Sequence, residues 1–210
     1  MTMSAHLHDD PHAPIEENPE EPDYFDVLQT AIRELLVEKG LIGAGEVRAM
    51  IETLDAHAPA LGSALVARAW SDPDFKERLL ADGTAAIEEF GIDNYDGTEL
   101  IVLEQTPDTH NLVVCTLCSC YPRPVLGLPP DWYKSRPYRT RAVREPRALL
   151  AEFGTTVPED VTIRVHDSNA NMRYLVLPMR PPGTEDWTEE QLAELATRDT
   201  MIGVTTARTP

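Results

Sequence analysis

All three cysteines of the chain fall within six residues, in Cys115-Thr116-Leu117-Cys118-Ser119-Cys120. A disulfide framework spreads its cysteines to staple distant segments, and no cysteine elsewhere could serve as a distant partner. Clustered thiols point instead to a metal or redox site. Suppose one ion binds the sulfurs of Cys118 and Cys120. The amide nitrogens of Ser119 and Cys120 then lie between those sulfurs in the chain. If both amides lose their protons, the donors follow in the order S, N, N, S, with unstrained chelate rings and the donors near one plane. Cys115, three residues earlier, can fold back and place its sulfur axially. Five donors leave one octahedral position open, as a catalytic metal requires.

Donor type selects the ion. Thiolates and anionic amides favour compact, low-spin trivalent cobalt or iron over hard cations such as magnesium or calcium. Zinc is the main rival, since Cys-x-x-Cys is common in its sites. Structural zinc wants four tetrahedral ligands and usually pairs this motif with a second one. Here no second such motif exists, and His110 or His166 could serve as the fourth ligand. An iron–sulfur cluster usually takes four cysteines, one more than the chain contains.

Composition narrows the class. A formal net charge of -18 over 210 residues repels phosphate, which argues against a nucleic-acid partner. No apolar run approaches the roughly 20 residues of a membrane span. The N-terminus lacks the basic-then-apolar order of a secretory signal, so a cytoplasmic protein is expected. Residues 1–23 are rich in Pro, Asp, Glu and His and nearly free of large apolar side chains, so they are expected to be a disordered acidic tail. Its histidines, His6, His8 and His12, are read as incidental.

The elements that must position the cysteines begin at Tyr24. Val27, Leu28, Ile32, Leu35 and Leu36 recur at helical spacing, and Gly40 is a stop. Further helices are expected over 45–56, 61–70, 74–82 and 84–90, which makes residues 24–92 a helical arm. Strands are expected over 99–104 and 111–115, the second running straight into the cysteines. The prolines of Tyr121-Pro122-Arg123-Pro124 and Leu128-Pro129-Pro130 argue against regular helix or central strand there. Short helices follow over 130–134, 138–143 and 146–153. Residues 161–167 and 173–177 read as two paired strands joined by Ser168-Asn169-Ala170-Asn171. A last helix opens at Thr188 and runs to Thr197, and 201–204 reads as a final strand. The expected class is therefore α+β, with residues 93–210 forming the domain that holds the site.

Val114-Cys115-Thr116-Leu117-Cys118-Ser119-Cys120 resembles the metal motif of nitrile hydratase α subunits and of the related thiocyanate hydrolase γ subunit. The similarity continues through Tyr121-Pro122, residues 124–130, Trp132-Tyr133-Lys134, residues 143–147, Asp167-Ser168 and Met172-Arg173-Tyr174. Upstream it takes in residues 69–73 and 80–84, and it spans about residues 24–206. Thr116 matches the cobalt members, where iron members usually carry serine. Two positions depart from the pattern. Arg123 stands where many nitrile hydratases have tryptophan, as in the thiocyanate hydrolase γ subunit. Asp96-Gly97 stands where Gln-Gly is frequent.

The resemblance implies a layered α/β/β/α domain with mixed sheets. It implies a Co(III) cofactor, with Fe(III) as the alternative, held by Cys115, Cys118, Cys120 and the backbone of Ser119. Cys118 would be a sulfinic acid, Cys120 a sulfenic acid and the nucleophile, and Cys115 a plain thiolate. The activity implied is hydration of a small nitrile to its amide, in complex with a β-type partner subunit and after metal insertion by an activator protein. Asp167, Arg173, His166 and Tyr121 are secondary candidates near the site, each with an ordinary packing or surface role as its competing reading. A thiocyanate hydrolase γ-like subunit is the runner-up. A non-catalytic cobalt-binding or assembly protein and a zinc-stapled interaction domain stand in other classes.

Overall fold

A computed structural model describes residues 24–43, 45–47, 50 and 59–210. The expected tail and most of the expected helix over 45–56 lie outside the described residues. The first helix, α1 (Tyr24–Glu38), carries its apolar stripe exposed: Val27 is 57% accessible, Ile32 48% and Leu35 49%.

The next three helices follow from their caps. In α2 (Pro59–Ser71) and α3 (Pro73–Ala81) a proline opens the first turn, where its missing N–H costs nothing. Asp72 caps α3 by accepting from the N–H groups of Asp74 at 3.1 Å and Phe75 at 3.0 Å. Asp82 ends α3 and caps α4 (Gly83–Glu89), accepting from Ala85 N–H at 3.0 Å.

Four strands follow in sequence: β1 (Glu99–Glu104), β2 (Thr109–Val114), β3 (Thr162–Asp167) and β4 (Met172–Leu177). The expected hairpin between the last two does not form. β3 pairs in parallel with β2, and β4 pairs in parallel with β1, giving two separate two-stranded sheets. Residues 168–171 therefore carry the chain from one sheet to the other, with the Asn169 side chain accepting from the N–H groups of Asn171 and Met172. The sheets are accordingly parallel rather than mixed; among the described residues the antiparallel pairing is one isolated bridge between Thr106 and Thr109. β2 is buried along nearly its whole length, the burial expected of a parallel strand covered on both faces.

Between the sheets and around them lie five short helices and one longer one: α5 (Arg123–Leu126), α6 (Asp131–Lys134), α7 (Arg136–Arg144), α8 (Pro146–Glu152), α9 (Glu189–Ala193) and α10 (Arg198–Ile202). Helices α3 and α4 cover β1, while α7 packs on β2 and α8 on β3, which makes the layering helix, sheet, sheet, helix. One hydrophobic core joins Leu65, Phe75, Leu79 and Ile87 from the first half to Leu100, Leu112, Val114 and Leu175 from the second. Burying each such side chain contributes roughly 1.5–3 kcal/mol.

Three local expectations are corrected here. The proline-rich run holds the short helix α5, because Pro124 sits in its first turn and a fixed φ suits that position. Residues 201–204 are not a strand but the end of α10 and its turn. The helix begun at Thr188 stops at Ala193, and Thr197 starts a new one through a reciprocal cap with Thr200. Gly203, at φ 85°, closes it.

A polar seam ties the two sheets together. The Gln105 side chain bonds both backbone groups of Asn111, and the Asn111 amide reaches Glu104 O. His166 Nε2 meets Asn111 Oδ1 at 2.9 Å, and His110 Nε2 meets Gly203 O at 2.7 Å. Burial lowers the pKa of both imidazoles, assisted by Arg147 at His110 and by Arg164 at His166. The fold thus favours the neutral rings. Their contribution is complete above the unfolded value of about 6.5 and is lost as the pH falls through the lower folded values. Melting temperature is expected to drop between pH 7 and pH 5, and less so in His110→Gln. A flat profile over that interval would contradict the assignment.

Candidate metal centre

Strand β2 delivers the cysteines. Its last residue, Val114, pairs with Asp167 at the end of β3, and Ser168 N–H donates to Val114 O at 2.7 Å. One residue later the ladder stops and the chain turns through 115–120. The Asp167 carboxylate spans that turn, accepting from Thr116 N–H at 2.9 Å and from Thr116 Oγ1 at 2.6 Å. The carboxylate is thus committed to the cysteine loop rather than to a surface ion pair. Arg139 adds a long contact to Thr116 O.

The turn gathers the three sulfurs. Cys115 Sγ and Cys118 Sγ stand 3.4 Å apart, Cys118 Sγ and Cys120 Sγ 3.2 Å, and all three fall within 4.8 Å of one another. Cys118 N–H points back at the Cys115 sulfur, 3.3 Å away. Cys115 is buried, Cys120 half-buried and Cys118 exposed, so the cluster opens to solvent on one side. Leu117, at the tip, is 85% accessible.

The electrostatics of the cluster show why it suits a cation. Hydrogen bonding from Cys120, then from Cys115 and the N–H groups of Ser119 and Cys120, brings the Cys118 thiol down to about 7. Burial and the neighbouring sulfurs push Cys120 up to about 12, against a small opposing pull from Arg173. One negative charge is welcome in this space and a second is not, because like charges in contact suppress each other's ionisation. A multivalent cation removes that conflict and lets all three sulfurs bind as thiolates. The N–H groups of Ser119 and Cys120 also lie within hydrogen-bond reach of the Cys118 sulfur. The three sulfurs therefore fit a single shared metal ion.

Under the loop lies an aromatic floor. Tyr121 and Tyr133 meet edge to face at 5.0 Å, Tyr133 and Tyr138 lie 5.6 Å apart, and Trp132 contacts Tyr138 and Phe153, each at 5.0 Å. Two phenols of this floor fasten backbone: Tyr133 OH donates to Cys120 O at 2.8 Å, and Tyr138 OH to Val113 O at 2.6 Å. Among the described residues the Tyr121 hydroxyl is buried without a hydrogen-bond partner, and its ring packs against Tyr133. The contact of Tyr133 with Cys120 arises from the path of the proline-rich segment, which no local sequence pattern encodes.

Other candidates sit elsewhere. His110 lies at the far end of β2, bonded to Gly203 O, and His166 faces Asn111 and Tyr174, so neither joins the sulfurs as a fourth zinc ligand. Arg173 donates to Asn169 O and to Met172 O, while its Nε is buried without a partner. Asp96 shapes a turn, accepting from Thr98 N–H at 3.1 Å and Thr98 Oγ1 at 2.7 Å. Arg123 is half-buried at the start of α5. A cleft of about 460 Å³ lined by Gln105, His110, Thr155 and the C-terminal segment lies at the opposite end of β2 from the cysteines.

The chain was compared with known proteins. The sequence model of the family described as "Nitrile hydratase, alpha chain" matches residues 23–205. The low-molecular weight cobalt-containing nitrile hydratase subunit alpha of Rhodococcus rhodochrous is 56% identical over 181 residues, covering 86% of this chain and 87% of that protein. The thiocyanate hydrolase subunit gamma of Thiobacillus thioparus is 46% identical over 196 residues, covering 88% and 81%. Among solved structures, a recombinant thiocyanate hydrolase comprising partially modified cobalt centres superposes with a TM-score of 0.84 at 45% identity, covering 90% of this chain and 92% of that one. With the cysteine cluster, the layered fold and a match over most of its length in agreement, this chain belongs to the nitrile hydratase α-chain family.

Proposed function

We propose that this chain is the metal-bearing α subunit of a cobalt nitrile hydratase, converting a small nitrile and water to the amide. The observation that carries the reading is the convergence of three sulfurs within 4.8 Å, beside two backbone amides, in a chain of this family. Cys115, Cys118 and Cys120 hold the ion through sulfur, and Ser119 and Cys120 hold it through their backbone nitrogens. Bound there, cobalt(III) supplies Lewis acidity toward the nitrile or toward a water molecule. Cobalt is favoured over iron by Thr116 and by the cobalt-containing relatives.

The chain's own groups do the rest. Cys118, the most open of the three, is assigned the sulfinic state and Cys120 the sulfenic state, with the buried Cys115 remaining a thiolate. The Cys120 sulfenate oxygen is the nucleophile toward the nitrile carbon. Asp167 and Tyr133 keep the loop in the shape that aims it. A β-type partner subunit closes the open side of the cluster; the bare apolar stripe of α1 and the projecting Leu117 are surfaces that such a partner would cover. Metal enters with an activator protein, and the complex works in the cytoplasm.

A second reading, a thiocyanate hydrolase γ-like subunit, is favoured by Arg123 and by the 46% identical relative. One experiment separates the two. The chain is co-expressed with its partner and activator in cobalt medium, and the purified complex is assayed on an organic nitrile and on thiocyanate. Amide formation with about one cobalt per chain, as the single cluster requires, is expected. Turnover of thiocyanate alone, or a stoichiometric zinc, would overturn the reading.

A further inference from the structure

Resting on the reading just given, we propose that Tyr133 is a positioning residue for the metal-binding loop, holding the Cys118–Cys120 half of the claw through the Cys120 carbonyl. The loop has two halves with different supports. Its first half is an extension of β2, fixed by the β3 pairing and by the Asp167 carboxylate on Thr116. Its second half has left the sheet and carries four of the five proposed donors, three of them on Ser119 and Cys120, whose geometry depends on backbone torsions.

Tyr133 OH reaches that half, donating to Cys120 O at 2.8 Å. The phenol is itself fixed. Tyr133 is fully buried, with Tyr121 against it at 5.0 Å, Tyr138 at 5.6 Å and Trp132 at 6.0 Å. A donor with no room to move sets the direction of the Cys120 carbonyl. That direction sets ψ of Cys120 and, through it, how the Cys120 sulfur and nitrogen present themselves to one ion.

Tyr138 provides an internal comparison. It is another fully buried phenol of the same aromatic floor and also donates to a carbonyl, at 2.6 Å, but that carbonyl is Val113 O within β2, where the sheet already fixes the backbone. A merely structural role predicts like effects for the two residues, and a positioning role predicts unlike ones.

The test uses the cobalt-loaded complex with its partner subunit, in three forms: wild type, Tyr133→Phe and Tyr138→Phe. Three properties are read: the visible thiolate-to-cobalt absorption, the rate of cobalt loss to excess chelator, and thermal melting. Tyr133→Phe is expected to shift the absorption and to release cobalt about tenfold faster, the scale of one lost hydrogen bond. It should lower kcat with KM little changed. Tyr138→Phe should lower the melting temperature while leaving absorption and release at wild-type values. Identical absorption and release in Tyr133→Phe, or equal effects of the two substitutions, would overturn the proposal. If Tyr133→Phe fails to assemble, 3-fluorotyrosine at position 133, a more acidic donor of nearly the same shape, should slow cobalt loss. Unchanged loss in that protein would overturn the proposal as well. A wild-type complex that takes up no cobalt sinks the functional reading itself, and is thereby told apart from failure of the Tyr133 assignment.

Discussion

Cys120→Ser is expected to lower nitrile hydration at least about a thousandfold, a barrier increase of about 4 kcal/mol or more. The substitution removes one of three sulfurs that the structure brings within 4.8 Å of each other. It also removes the proposed nucleophile, because a serine oxygen cannot occupy the sulfenic rung. A hard alkoxide in place of a thiolate weakens the field that keeps the ion low-spin, so the visible absorption should change along with cobalt content. The fold should survive, because Cys120 is only half-buried and the core beneath it is built from Tyr121, Tyr133 and Val125. Elemental analysis, visible spectra and turnover on one preparation check all of this. Wild-type turnover in Cys120→Ser would sink the mechanism.

Ser119 sharpens the same prediction, because its assigned ligand is its backbone nitrogen and not its hydroxyl. Ser119→Ala keeps that nitrogen and should retain cobalt. Ser119→Pro replaces the amide N–H with a ring carbon, so no anionic donor can form, and the site should fail as it does in Cys120→Ser. Cobalt retention in the proline variant would show that the donor set is wrong even if the three sulfurs are right.

The gathering of the three sulfurs was legible because its chemistry is local. Six consecutive residues contain every proposed donor, and the spacing alone sets the chelate rings. The strands expected over 99–104 and 111–115, and found over 99–104 and 109–114, were legible for a related reason: each carries its apolar run locally, Leu100 to Leu103 and Leu112 to Val114. Strand partnership was not. Residues 162–167 and 172–177 are separated by a four-residue connection that suits a hairpin, yet each strand pairs with a strand more than 50 residues earlier, as Val114 with Asp167 shows. That choice is made by which apolar faces can be buried together, a property of the whole core. Tyr133 was missed for the same reason, since its partner is a backbone carbonyl brought near by the turns through Pro122–Pro130. By contrast, the second cap at Thr197 was present in the sequence as Thr197-Arg198-Asp199-Thr200. A run that began with a good cap at Thr188 concealed it.

Gly203→Ala is expected to destabilise the chain by about 3–5 kcal/mol, through a position remote in sequence from the cysteines but joined to their strand. Gly203 closes α10 at φ 85°, a backbone conformation that side chains disfavour. A Cβ there would stand 2.0 Å from Asn111 O and 3.3 Å from Leu112 Cα, both backbone atoms of β2. Neither can yield without moving the strand that carries Cys115, and Gly203 O also holds His110 at 2.7 Å. Gly97→Ala isolates the conformational part, because Gly97 has φ 62° but nothing within 4 Å of the added carbon; it should cost about 1 kcal/mol. At roughly 2–4 °C per kcal/mol for a chain of this size, the Gly203 substitution should lower the melting temperature by about 10 °C and the Gly97 substitution by only a few degrees. Because the clash pushes on β2, the surviving folded fraction of Gly203→Ala should also lose cobalt faster than wild type, while Gly97→Ala should not. Equal melting temperatures for the two variants would mean that the close approach of α10 to β2 does not exist in solution.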